Sequence, residues 1–151
     1  MLLPFWRIML GCWLTAVLLV ISLPWPNFDG TPHWNSVQWV PFTHLNWHRA
    51  VLAEAALNML AFVPVGYLSV RSAWSLKWSP LFVACLLGFA SSFGIETYQL
   101  FCFDRVPSTS DVLMNGAGTA CGVWLANAID RMLTWCSLPF RRVPTGLIDT
   151  P

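Results

Sequence analysis

Residues 50–70 read AVLAEAALNMLAFVPVGYLSV, and this stretch decides the fold. It is apolar over about the 20 residues that a helix needs to cross a hydrocarbon core. Yet it carries Glu54, Asn58 and Pro64. A carboxylate at the centre of a spanning helix costs roughly 2.5–3.5 kcal/mol on insertion scales, so such a residue points to a partner or a task. Pro64 lacks an N–H. A span tolerates that where neighbouring helices satisfy the freed carbonyl, and a kink is expected near Ala61.

Three further apolar runs flank this one. Residues 5–23 are broken only by Arg7. That run exceeds the 7–15 residues of a signal-peptide core (roughly) and leads into Pro24-Trp25-Pro26 rather than a small-residue cleavage site, so it reads as an uncleaved span. Residues 80–102 and 112–136 supply the third and fourth spans. The connection 24–49 holds Trp25, Trp34, Trp39 and Trp47 and is expected to lie along the membrane interface, where tryptophan is favoured. Residues 103–111, FDRVPSTSD, form a tight polar loop with a helix N-cap expected at Ser110 or Asp111. Residues 137–151 form a short tail.

Composition agrees. The chain has 151 residues, 56% hydrophobic and 10% charged, with a mean hydropathy of +0.59. Soluble domains carry roughly 25% charged residues, so a soluble fold could not cover itself. The expected class is all-α: one integral membrane domain over 1–136, a four-helix bundle. A net charge of +1 and the lack of a basic stripe argue against a nucleic-acid partner. The five cysteines show no CxxC or Cys/His spacing and read as small hydrophobes. Arg7, Arg71, Lys77, Arg131, Arg141 and Arg142 fall on the side of the termini, against Arg49 and Arg105 opposite, which places both termini in the cytoplasm.

The polar residues then converge. At about 1.5 Å rise per residue, Glu54 lies about 6 Å and Asn58 about 12 Å below the outer start of the second span. Glu96 and Gln99 lie about 9 and 5 Å from the outer end of the third, and Asp111 and Asn115 open the fourth. Glu54/Asn58/Phe62, Ser92/Glu96/Gln99 and Asp111/Asn115/Gly118/Gly122 each share one helix face. Gly118-x-x-x-Gly122, with Ala126 beyond, allows close helix approach. An alternative is that Glu96 and Arg105 form an interhelical ion pair, with Asn58, Gln99 and Asn115 as hydrogen-bonding glue. His33, His44 and His48 lack the spacing of a zinc site, and no metal ligand or cofactor motif stands out.

Asn58-Met-Leu-Ala-Phe62-Val-Pro64-Val-Gly66, then Glu96-Thr-Tyr-Gln99, then Arg105, Asp111 and Asn115-Gly-Ala-Gly118 resemble the blocks N-x3-F-x-P-x-G, E-x2-Q and R-x5-D-x3-N-x2-G of the VanZ-like family. That family of small membrane proteins takes its name from a member linked to teicoplanin resistance. The resemblance covers about residues 50–126 and leaves Glu54 outside the pattern. It implies a multi-pass protein of the bacterial inner membrane and no defined chemistry.

Two functions are expected from this reading. In the first, the polar layer is an outer-leaflet site for an anionic envelope lipid or intermediate, such as a polyprenyl-phosphate-linked one, with effects on the envelope or on glycopeptide response. Arg105 would contact phosphate, with Asn58, Gln99 and Asn115 as further binding residues. Glu96 and Asp111 would be the catalytic carboxylates, with Glu96 as general acid or base. Phe62, Pro64, Gly66, Gly118 and Gly122 would be structural. One arginine among three acids attracts a phosphate poorly unless a carboxylate is protonated or Mg²⁺ or Ca²⁺ binds. In the second, the protein is a non-enzymatic accessory packed beside an envelope or polysaccharide assembly, with the Trp-rich loop as contact surface.

Overall fold

The computed structural model describes residues 3–22, 28–43, 49–72 and 78–137. Trp25, Trp47, His44, His48, Lys77, Arg141, Arg142 and the tail lie outside the described residues. Four helices form the bundle: α1 (Leu3–Ser22), α2 (Arg49–Ser72), α3 (Pro80–Gln99) and α4 (Thr109–Ser137). A single 3₁₀ turn (Trp34–Ser36) interrupts the strap 28–43 between α1 and α2. The protein is an all-helical bundle of membrane type. Three of its helices are long and apolar enough to cross a bilayer, while the apolar stretch of α1, Pro4–Val20, is shorter. Leu57, Leu60, Phe89, Phe93 and Trp124 point outward, an apolar exterior that suits lipid.

The helix ends have local causes. Pro80 opens α3, where its missing N–H would be unpaired in any case. The third helix was expected to reach Cys102 but stops at Gln99. There Phe101 and Cys102 turn their N–H groups to the carbonyls of Tyr98 and Gln99, each at 3.0 Å, in tight three-residue turns. The fourth begins at Thr109 rather than 112, because Ser108 is its cap: its Oγ accepts the Ser110 N–H at 3.1 Å.

Contacts fix the directions. Arg7 Nε donates to the Ser72 carbonyl at 3.5 Å and Trp6 meets Tyr67 edge-on, so α1 runs antiparallel to α2. Gly118 faces the Met59 carbonyl, Gly122 that of Val63, and Gly66 that of Thr119. The register rises together, so α2 and α4 are parallel. A Cβ at any of these three glycines would overlap a backbone carbonyl, which is why this seam takes no larger residue. Phe62 is fully buried between Val17, Val65 and Ile95, joining α1, α2 and α3. Beside Pro64, the Trp13 indole N–H donates to the Ala61 carbonyl at 2.9 Å. The carbonyl that Pro64 frees is that of Leu60, so this bond braces the next residue of the same turn.

The two ends differ. Near the C-terminal ends of α2 and α4, Arg71 Nη1 donates to Asp130 Oδ1 at 2.6 Å, and its guanidinium lies 5.2 Å from the Tyr67 ring centre. The other end holds the polar layer.

Candidate functional site

At that end the first turns of α2, the last turn of α3, the 100–108 turn and the first turns of α4 enclose a cavity of about 350 Å³. Glu54 comes from α2, Gln99 from α3, Asp104 and Arg105 from the turn, and Asp111 and Met114 from α4. Gln38 and Phe42 of the strap complete the wall.

The strap is tied down by backbone. The Asp29 and His33 N–H groups donate to the Phe101 and Leu100 carbonyls at 3.2 and 2.9 Å. Gln38 N–H donates to Pro107 at 2.9 Å, and Thr109 N–H returns a bond to Gln38 at 3.1 Å. Phe42, at the cavity wall, has φ +62 and gives its N–H to Ser110 Oγ at 2.9 Å. A non-glycine residue in this left-handed region is held there by its surroundings. Asp29 fastens the start of the strap: its carboxylate accepts the Thr31 N–H and meets His33 Nε2, both at 2.9 Å. The Thr31 N–H is the main cause of its carboxyl lying below the ordinary value of 3.8. Trp34 and Trp39 stack 6.5 Å apart on the exposed side.

The polar residues expected from sequence divide into two sets. Gln99, Arg105, Asp111 and Glu54 reach the cavity. The rest stand behind it. Glu96 is only 9% exposed, and its Oε2 accepts the Ser108 N–H at 2.7 Å, bracing the cap of α4 against α3. The ionisable groups acting on it across space are two other carboxylates, Asp111 and Glu54. Asn58 stands close enough to Asp111 to act on its carboxylate, between α2 and α4 behind the wall. Asn115 lies one turn deeper, 2% exposed, with Nδ2 donating to Ser92 Oγ at 3.0 Å across the α3–α4 interface. Its backbone carbonyl accepts Thr119 Oγ1 at 3.0 Å.

Sequence reasoning missed Gln38, Phe42, Asp104 and Ser108. Asp104 could have been found beside Arg105 in the same loop. Ser108 was hidden because Ser110 and Asp111 offer equally good capping chemistry. Among the described residues no group of three or more His, Cys, Asp or Glu side chains is arranged to hold a metal ion. Chemically, the arrangement offers one guanidinium, three carboxylates and two carboxamides around a space of small-molecule size.

Comparison with known proteins places this geometry. No curated protein and no solved structure matches the chain. The VanZ/LLP1 family model does match, over residues 6–130, from α1 to near the end of α4 and including every residue of the cavity wall. The chain therefore belongs to the VanZ/LLP1 family of membrane proteins.

Proposed function

We propose that the protein binds the phosphate-bearing head of an envelope lipid or lipid-linked intermediate, in the outer leaflet of a bacterial inner membrane. The observation that carries this reading is the cavity at one end of a lipid-clad bundle, with Arg105 in its wall. Arginine offers a planar fork of donors that matches phosphate geometry. Gln99 supplies further hydrogen bonds, and the stacked Trp34 and Trp39 seat this end among lipid heads. Arg7, Arg71 and Arg131 lie at the opposite end, which supports a cytoplasmic position for that end and for both termini, with α1 as a fourth span. Glycopeptide response would follow from capture of such a lipid.

The carboxylates divide in this reading. Asp111 touches the ligand, whereas Glu96 is a positioning residue that holds Ser108 and the start of α4. Lipid retained by the purified protein provides the test. Wild type should keep phosphate-bearing lipid through detergent exchange, and Arg105→Ala should lose most of it while still inserting. Equal retention by both would refute the reading.

The accessory reading has its own support. Glu96, Asn58 and Asn115 are each engaged within the bundle, as glue should be. It expects substitutions in the layer to lower abundance alone, with lipid retention unchanged per folded molecule.

A further inference from the structure

The charge of the cavity wall is at odds with a purely anionic occupant. Among the described residues, Glu54, Asp104 and Asp111 share the wall with one guanidinium, Arg105, a formal excess of two negative charges. Glu96 stands behind them within electrostatic reach of Glu54 and Asp111. A phosphate group entering alone would meet Arg105 inside a field of like charge, the opposite of complementarity.

Gln99 adds an independent observation. It is 8% exposed, yet it lines the cavity. Its carboxamide forms no hydrogen bond among the described residues, whereas the Asn115 Nδ2 donates to Ser92 Oγ. A carboxamide that faces the cavity in this way is open to a hydrogen-bonding occupant. A carboxamide both donates and accepts. It therefore suits a ligand that presents a phosphate oxygen and an N–H close together.

Resting on the reading above, we infer that the occupant carries a protonated primary amine a few bonds from its phosphate: an aminophospholipid head, or the same chemistry in a soluble aminoalkyl phosphate. The ammonium sits among Glu54, Asp104 and Asp111, and the phosphate meets Arg105. Gln99 bridges the two, and Phe42 and Met114 give the linking methylenes an apolar wall. Such a phosphodiester head is neutral overall, so it enters without the repulsion that a bare phosphate meets. A volume of about 350 Å³ is within the range of small-ligand sites.

The test is thermal melting of the purified full-length protein in detergent, titrated with four probes: phosphatidylethanolamine, phosphatidylglycerol, phosphatidylcholine and soluble glycerophosphoethanolamine. Half-maximal stabilisation should come at least tenfold lower in phosphatidylethanolamine than in phosphatidylglycerol. Phosphatidylcholine should be weak, because its quaternary amine has no N–H. The Glu54→Gln variant should narrow the preference for ethanolamine over glycerol. Soluble glycerophosphoethanolamine acting as strongly as the lipid would support the amine–phosphate chemistry and assign its source to a water-soluble ligand. Phosphatidylglycerol binding as tightly as phosphatidylethanolamine would overturn this inference while leaving the phosphate-lipid reading intact. Stabilisation by none of the four probes would overturn both.

Discussion

The two ends of this bundle handle charge in opposite ways. At one end Arg71 meets Asp130 at 2.6 Å, leans on Tyr67 and reaches the Ala126 carbonyl, so these two charges are paired and the helices close on them. At the other, three carboxylates and one guanidinium surround a cavity. The neighbouring seam explains how both can exist in one small chain. Gly66, Gly118 and Gly122 let α2 and α4 touch backbone to backbone, so stability comes from close packing and the far-end pair. The open end is then free to carry unbalanced charge. A matched pair holds helices together, and the proposed ligand would meet the surplus around the cavity.

Breaking the seam should have the largest effect. A side chain at Gly122 must displace the Val63 carbonyl, so Gly122→Val is expected to cost about 3 kcal/mol, the upper end of overpacking penalties. A sharp drop in melting temperature and in membrane abundance would register it. Next comes the closed end. Arg71→Ala removes a charge-assisted hydrogen bond, expected to be worth about 1.5–3 kcal/mol; equal melting of variant and wild type would show that this end is not a clasp. At the open end, Glu54→Gln should change stability by less than about 0.5 kcal/mol, as expected of an exposed site, while altering lipid preference. A large loss of stability there would erase the contrast between the two ends.

The smallest effect concerns pH. The Asp29 carboxyl is held below its ordinary value, chiefly by the Thr31 N–H. A carboxyl whose folded value is depressed gives stability that is full above the unfolded value, here about 3.8, and that fades as pH falls through the lower folded value. The strap should therefore loosen only in strong acid, seen as faster amide exchange at Thr31 below about pH 4 than expected from the intrinsic rate. Asp29→Asn should remove most of that dependence.

The long apolar runs made the bundle legible in the sequence, since length and hydrophobicity alone require helices in lipid. Of the seam glycines, Gly118 and Gly122 were legible by their spacing and Gly66 only through the family resemblance. The polar layer was legible as a layer but not in its inner order. Asp111 and Asn115 share a face, yet one turn is about 5.4 Å, enough to move Asn115 out of the cavity and onto Ser92. Glu96 and Gln99 also share a face. Their fates diverge because the Ser108 N–H, supplied by a later turn of chain, engages only Glu96. In place of the alternative ion pair of Glu96 with Arg105 stands that backbone bond, and the charges acting on Glu96 are carboxylates. The strap was least legible. Its path rests on backbone bonds to residues 100–110, and such bonds leave no mark in side-chain pattern.

The most direct test compares two arginines. Wild type, Arg71→Ala and Arg105→Ala would be melted in detergent with and without phosphatidylethanolamine, and the lipid-induced shift read for each. At a lipid concentration one hundredfold above Kd the shift should correspond to about 2.7 kcal/mol. The account expects Arg71→Ala to melt early and keep that shift, and Arg105→Ala to lose it whatever its own melting temperature. A full shift in Arg105→Ala, or its loss in Arg71→Ala alone, would contradict the assignment of one end to structure and the other to binding.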